Sequence, residues 1–187
     1  MRNVMLLVAA ILLLAPAAVS ASSSKKPPVG GSMQRAAAEG CMNQWLFDGV
    51  WRLRVLSVDP AAQYNNGSLT TGVGVKMQLH NATSHDLEPD HTGLSDINGR
   101  GITVTYSDDN TEDAISSGTG LTNSLLDKTM PPGGGATVTI YFAYGPDKTA
   151  KPVKLIVPVD PKSPNNYAHS HYSVSNPSFR VHLDCTK

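Results

Sequence analysis

Apolar side chains recur at every second position in six separate stretches of this chain, a period that suits extended strands burying one face and suits no helix. Trp51, Leu53 and Val55 alternate with Arg52 and Arg54 within Val50 to Val58. Val73, Val75, Met77 and Leu79 repeat the pattern up to His80, and it returns at Ile102, Val104 and Tyr106 and at Val138, Ile140 and Phe142. Val153, Leu155 and Val157 carry it next, then Phe179, Val181 and Leu183, and Trp45 to Phe47 makes a short seventh strand. Turn formers stand between them: Asn65-Asn66-Gly67, Asn98-Gly99, Pro131-Pro132-Gly133-Gly134-Gly135, Gly145-Pro146-Asp147 and Asn165-Asn166. Leu121, Leu125 and Leu126 could share a helical face, but so short a stretch makes at most one helical turn or an irregular crossover. The chain is therefore expected to be all-β, an antiparallel β-sandwich of about seven strands, with a small closed barrel as the structural alternative.

The N-terminus obeys a different rule. Residues 1–21 carry one positive charge at Arg2, an apolar run from Val4 to Ala15, then Pro16 and small residues ending Val19-Ser20-Ala21. This is the layout of a secretory signal peptide cleaved after Ala21, with Ser20 as the fallback. The apolar run of about 12 residues falls short of the roughly 20 that a spanning helix needs. Residues 22–40, with a serine run, Pro27-Pro28 and Gly30-Gly31, offer little to bury and read as a flexible leader. The globular domain is then residues 41–187. Location outside the cytoplasm, secreted or periplasmic, makes a disulfide the default for the two cysteines, Cys41 and Cys185. That bridge is expected to tie the first strand to the last, from one sheet to the other.

Charge narrows the partners. The 15 basic and 15 acidic residues balance, and losing Arg2 from the 15 basic leaves 14 against 15, a net charge of −1. A chain so balanced lacks the footprint of a nucleic-acid binder or of adhesion to an anionic membrane surface. No membrane insertion is expected after signal cleavage.

Cys41 to Pro60, with its tryptophan-bearing strand, followed by Gly72 to His80 and the turn Asn81-Ala82-Thr83, resembles the opening of secreted bacterial immunoglobulin-like domains of unknown function. Pro131-Pro132-Gly133 before Ala136 to Phe142, then Lys154 to Val157, is similar to the proline-glycine turn, long strand and leucine-bearing strand of that group. The resemblance covers most of residues 41–185 and is similar in pattern to the mycobacterial secreted immunogenic protein family. It implies an immunoglobulin-like sandwich and an extracytoplasmic location, and it brings no catalytic residues. Ser84 to Asn98 and Asn165 to Pro177 exceed the pattern in length, so function particular to this chain is expected there.

Those two loops carry His85, His91, Tyr167, His169, His171 and Tyr172, the candidate binding residues. His169 and His171 are spaced to project from one face of an extended segment, a pair able to chelate copper or zinc. Further ligands would come from His80, His85, His91 or His182. The acidic set Asp86, Glu88, Asp90 and Asp96, and Asp108-Asp109, offers oxygen donors, but without the spacing of a twelve-residue calcium loop. No Gly-x-Ser-x-Gly elbow is present, and Gly133-Gly134-Gly135 lacks the Lys-Ser/Thr that a phosphate-cradling loop requires. Asn66-Gly67-Ser68 and Asn81-Ala82-Thr83 match the N-glycosylation pattern and read as turns. The expected function is non-catalytic: binding an extracytoplasmic protein partner through the loops, without a cofactor. The alternatives are a copper- or zinc-binding domain and a structural or assembly subunit. Cleavage after Ala21 and a Cys41–Cys185 bridge predict an intact mass starting at Ser22 and two hydrogens below that of the reduced chain, which mass spectrometry of the protein from its own source checks.

Overall fold

The computed structural model describes residues 38–65, 67–94, 101–115, 125–164, 166–168 and 170–186. The segments read as signal peptide and most of the leader lie outside these residues. So do Asp96, Asn98-Gly99, Leu121 and His169.

Among the described residues nine strands form two sheets packed face to face: β1 (Glu39–Met42), β2 (Leu46–Phe47), β3 (Trp51–Asn65), β4 (Leu69–Asn81), β5 (Thr103–Tyr106), β6 (Thr111–Asp113), β7 (Gly135–Phe142), β8 (Pro152–Val157) and β9 (Phe179–Thr186). One sheet runs β2-β3-β4-β7 and the other β1-β9-β8-β5-β6. All six stretches read from the alternation, and the short seventh at Trp45 to Phe47, contain strands, and the fold class is the expected β-sandwich. The added strands β1 and β6 lie at the two edges of the five-stranded sheet.

The alternation dictates the core. Trp51, Leu53 and Val55 of β3, Val73, Val75, Met77 and Leu79 of β4, and Val138, Ile140 and Phe142 of β7 form one inner face. Val104 and Tyr106, Leu155 and Val157, and Phe179, Val181 and Leu183 form the other. Each large side chain so buried contributes roughly 1.5–3 kcal/mol of transfer free energy, which makes this interface the main source of stability. Leu125 and Leu126, the end of the stretch with weak helical spacing, are fully buried in the same core.

β3 outruns its expected end at Val58. It passes Pro60 through a register shift between Asp59 and Ala62, and there Asp59 Oδ1 accepts the Ala61 N–H at 3.0 Å. Proline cannot donate to the ladder, so a bulge is the device by which a strand survives it.

Cys41 and Cys185 are bonded, with their Cα atoms 5.2 Å apart. The bridge does join the first strand to the last, but it does not cross between sheets as expected. β1 and β9 are neighbours in one sheet and pair in parallel, Glu39 opposite Arg180 and Cys41 opposite His182. β1 also begins at Glu39, inside the segment read as leader. The register shift between Cys41 and Met42, from His182 to Thr186, carries β1 to the level of Cys185.

The bridge spans 144 residues of sequence. Closing so long a loop is worth about 5 kcal/mol in the chain-entropy model. Cys41→Ser/Cys185→Ser is expected to keep a cooperative unfolding transition but lose roughly 2–5 kcal/mol, measured by urea denaturation against the oxidised protein.

Candidate functional site

The site starts from a turn that β4 cannot leave without help. Asn81, the last residue of β4, is buried; its Nδ2 donates to His85 O at 2.6 Å and Met130 O at 2.8 Å, and its Oδ1 accepts Thr83 N–H at 2.9 Å. Asn81-Ala82-Thr83 is thus a turn, and the Asn81 amide is fully engaged in the fold. Leu87 then pairs with Met130 in both directions. Pro89–Thr92 makes one turn of 3-10 helix, closed by Gly93 in the left-handed region at φ 81°. A Cβ on Gly93 would collide with Asp160 O, whose own amide donates to Gly93 O at 2.8 Å.

The second long loop is pinned on this first one. Ala168 N donates to His91 O at 3.1 Å, the Tyr172 hydroxyl donates to Thr92 O at 2.8 Å, and Ser173 donates from both N and Oγ to Asp48 O at 2.9 Å. Gly49, at φ 109°, leaves the room that Ser173 occupies. Thr92 is the hub: its Oγ1 accepts the Trp51 indole N–H at 3.0 Å and donates to Pro89 O at 2.6 Å.

Two neighbouring clefts result, and they share Leu87 and Ala168. One, of about 250 Å³, is lined by Asp86, Glu88, His91, Thr129 and Tyr167; the other, of about 440 Å³, by Gly49, Val50, Thr83, His85, Ser170 and His171. The two loops singled out in the sequence therefore converge at one end of the sandwich. His85, His91 and His171 are exposed, and Tyr167 is 67% exposed with its ring edge-on to His91 at 5.5 Å. Tyr172 has a different part. It is half-buried, and burial pushes its phenol up against the opposing Thr92 bond, with Asp48 pushing the same way. Its visible role is to anchor the loop.

Of the histidine pair expected to hold metal, His171 lines the larger cleft and His169 lies outside the described residues. Among the described residues the structure instead groups Glu88, Asp90 and His91, whose donor atoms lie within 4.8 Å of one another. His91 Nδ1 stands 3.3 Å from Glu88 Oε2 and Nε2 3.8 Å from Asp90 Oδ2. Burial holds the Asp90 carboxyl above its ordinary range; His91 opposes this, while Asp127 and Glu88 add to it. Asp108 takes no part, since it folds back on Asn110 in the β5–β6 turn.

Asp48 escaped the sequence reading. It is fully buried; Oδ1 accepts the Val50 and Trp51 N–H groups at 2.8 and 2.7 Å, and Oδ2 has no hydrogen-bond partner among the described residues. Burial raises its pKa from 3.8 to about 7, against the pull of the two backbone donors. The signal was there in Asp48-Gly49, a turn dipeptide set directly before a buried strand.

No family model matches this sequence, and no curated protein matches it. Solved structures do. The chain is similar to the yjhA protein from Bacillus subtilis, at 13% identity and a TM-score of 0.50, over 78% of this chain and 99% of that one. It is also similar to an uncharacterised β-sandwich protein from Clostridium difficile 630, at 8% identity and a TM-score of 0.44, over 80% and 96% of the two chains. At these identities the likeness to the Bacillus protein shows a shared fold and nothing further.

The Asp48 carboxyl sets a pH dependence whose sign is fixed. The folded state keeps its proton up to about pH 7, whereas the unfolded chain releases it near 3.8. Folded protein therefore binds more protons across that window, and unfolding free energy falls as pH rises through it, by up to about 1.4 kcal/mol per unit. Asp48→Asn, which keeps the Oδ1 acceptor, is expected to flatten the slope, read from urea midpoints between pH 4.5 and 8.

Proposed function

We propose that this chain is a non-catalytic extracytoplasmic β-sandwich that binds a protein partner of the cell envelope or surface through its loop cluster. The observation that carries the reading is the pinning of Ala168 and Tyr172 onto His91 and Thr92, and of Ser173 onto Asp48, beside which His85, His91, Tyr167 and His171 stand exposed around two clefts. Loops fixed by a stable scaffold are where recognition residues sit, and exposed tyrosine is enriched at interfaces. The non-catalytic part rests on the missing nucleophile and phosphate motifs. The location rests on the signal-like N-terminus and the disulfide, which fits an oxidising compartment. Among the described residues no helix is long and apolar enough to cross a membrane. Kinship with the secreted bacterial immunoglobulin-like domains belongs to the same proposal.

The grouping of Glu88, Asp90 and His91 favours a second reading, a divalent metal site on the same loops, with copper or zinc as the candidates. Tyr167→Ala/His171→Ala, which leaves the core untouched, separates the readings. It is expected to lower retention of an envelope partner in a crosslinked pull-down about tenfold or more, the scale of one interface anchor. Unchanged retention overturns the partner reading. Stoichiometric metal in a native mass spectrum, lost in His91→Ala, supports the second reading, and a self-associated mass alone points to an assembly subunit.

A further inference from the structure

A second surface lies on the outer face of the four-stranded sheet. The alternation that buries Trp51, Leu53 and Val55 turns Arg52 and Arg54 outward, and the register sets them opposite His80 and Gln78 of β4. Phe47 of β2 and Trp45 just before it bring two aromatic rings beneath them. The Arg52 guanidinium lies over the Phe47 ring at 5.6 Å and that of Arg54 over the Trp45 ring at 4.5 Å. Phe47 is 49% exposed and Trp45 40%, and Trp45 meets the His80 ring edge-on at 5.0 Å. The same unit, a ring carrying a guanidinium, thus occurs twice along β3. Its repeat is the two-residue advance of a strand, about 7 Å.

Neither arginine makes an ion pair among the described residues, and Arg54 is held by one hydrogen bond, to Gln78 Oε1 at 2.7 Å. The carboxylate on this face is Asp59, at the far end opposite Gly74. In a chain whose total charge balances, two unpaired arginines side by side are a local excess. The stacked Arg52 guanidinium is exposed and open to the bidentate geometry of a carboxylate, whereas Arg54, whose Nε is buried without a hydrogen-bond partner among the described residues and whose Nη2 donates to Gln78, offers its remaining Nη N–H groups. Beside Arg52, Trp45, His80 and Thr83 border a cleft of about 390 Å³ that leads off the face.

We propose that this face binds an acidic peptide segment in extended conformation, with carboxylates at alternate positions meeting Arg52 and Arg54. Charge complementarity selects the carboxylates, and spacing selects the backbone. Alternate side chains of an extended peptide also lie about 7 Å apart, so its repeat equals that of the two arginines. The arginines line neither cleft of the loop cluster, although Thr83 borders both surfaces.

The test titrates the full-length oxidised chain into a fluorescein-labelled peptide of four Glu-Thr repeats and into its Gln-Thr counterpart, followed by anisotropy at low and moderate salt. The expected result is saturable binding of the Glu peptide, weakened by salt, absent for the Gln peptide, and at least tenfold weaker in Arg52→Gln/Arg54→Gln. Arg52→Glu, a single change at an exposed position, is expected to abolish binding should the double variant not fold. Failure of the Glu peptide to bind overturns the proposal, as does equal binding by the variants. Binding of polygalacturonate without binding of the Glu peptide also overturns it and assigns the face to an anionic polysaccharide.

Discussion

An indole buried between two sheets must find an acceptor for its N–H, and in this protein Thr92 supplies it to Trp51. Trp51 is fully buried at the start of β3, where it anchors the longest strand of the core. Leaving its N–H unmade would cost the desolvation of a polar group, so the loop after β4 is drawn back over the end of the sandwich. Thr92 meets three demands with two atoms: Oγ1 accepts from the indole and donates to Pro89, and the carbonyl accepts from Tyr172. The position of both long loops follows from that single requirement.

Asp48 performs the matching task on the neighbouring side. Its side chain caps the start of β3 and its carbonyl holds Ser173, so one buried residue links the β2–β3 turn, the longest strand and the tail before β9. A carboxyl placed there is expensive when charged, and burial keeps its proton far above the usual carboxylate range. The loop cluster is accordingly built on interior hydrogen bonds, while the groups it shows to solvent, His85, Tyr167 and His171, are free of that structural duty. The outer sheet face is organised by another principle. Its arginines and aromatic rings are set by strand register alone, two residues apart on a pleated surface.

Much of this was legible in the chain. Period two located six strands and their inward residues, with Trp45 to Phe47 read as a short seventh, and the excess length of Ser84 to Asn98 and Asn165 to Pro177 marked loops whose described residues do meet at one end. The partners of Cys41 and Cys185 were also readable, but not the sheet they share, since pairing partners say nothing about which strands are neighbours. The spacing of His169 and His171 could be read in the sequence, but the grouping of Glu88, Asp90 and His91 among the described residues could not, because it depends on the 3-10 turn that Glu88 precedes. There a spacing of three residues brings side chains to one side.

What the sequence determined by itself is local: which residues face inward, where turns fall, which loops have length to spare. Alternation and turn chemistry act between near neighbours, and so they can be read without a fold. Tertiary structure alone decided that β1 lies parallel to β9, that Asp48 and Thr92 become interior hubs, and that Trp45 and Phe47 slide beneath Arg54 and Arg52. Those outcomes depend on strand order and register, which are settled by how two whole faces bury each other, and no short stretch of residues carries that information.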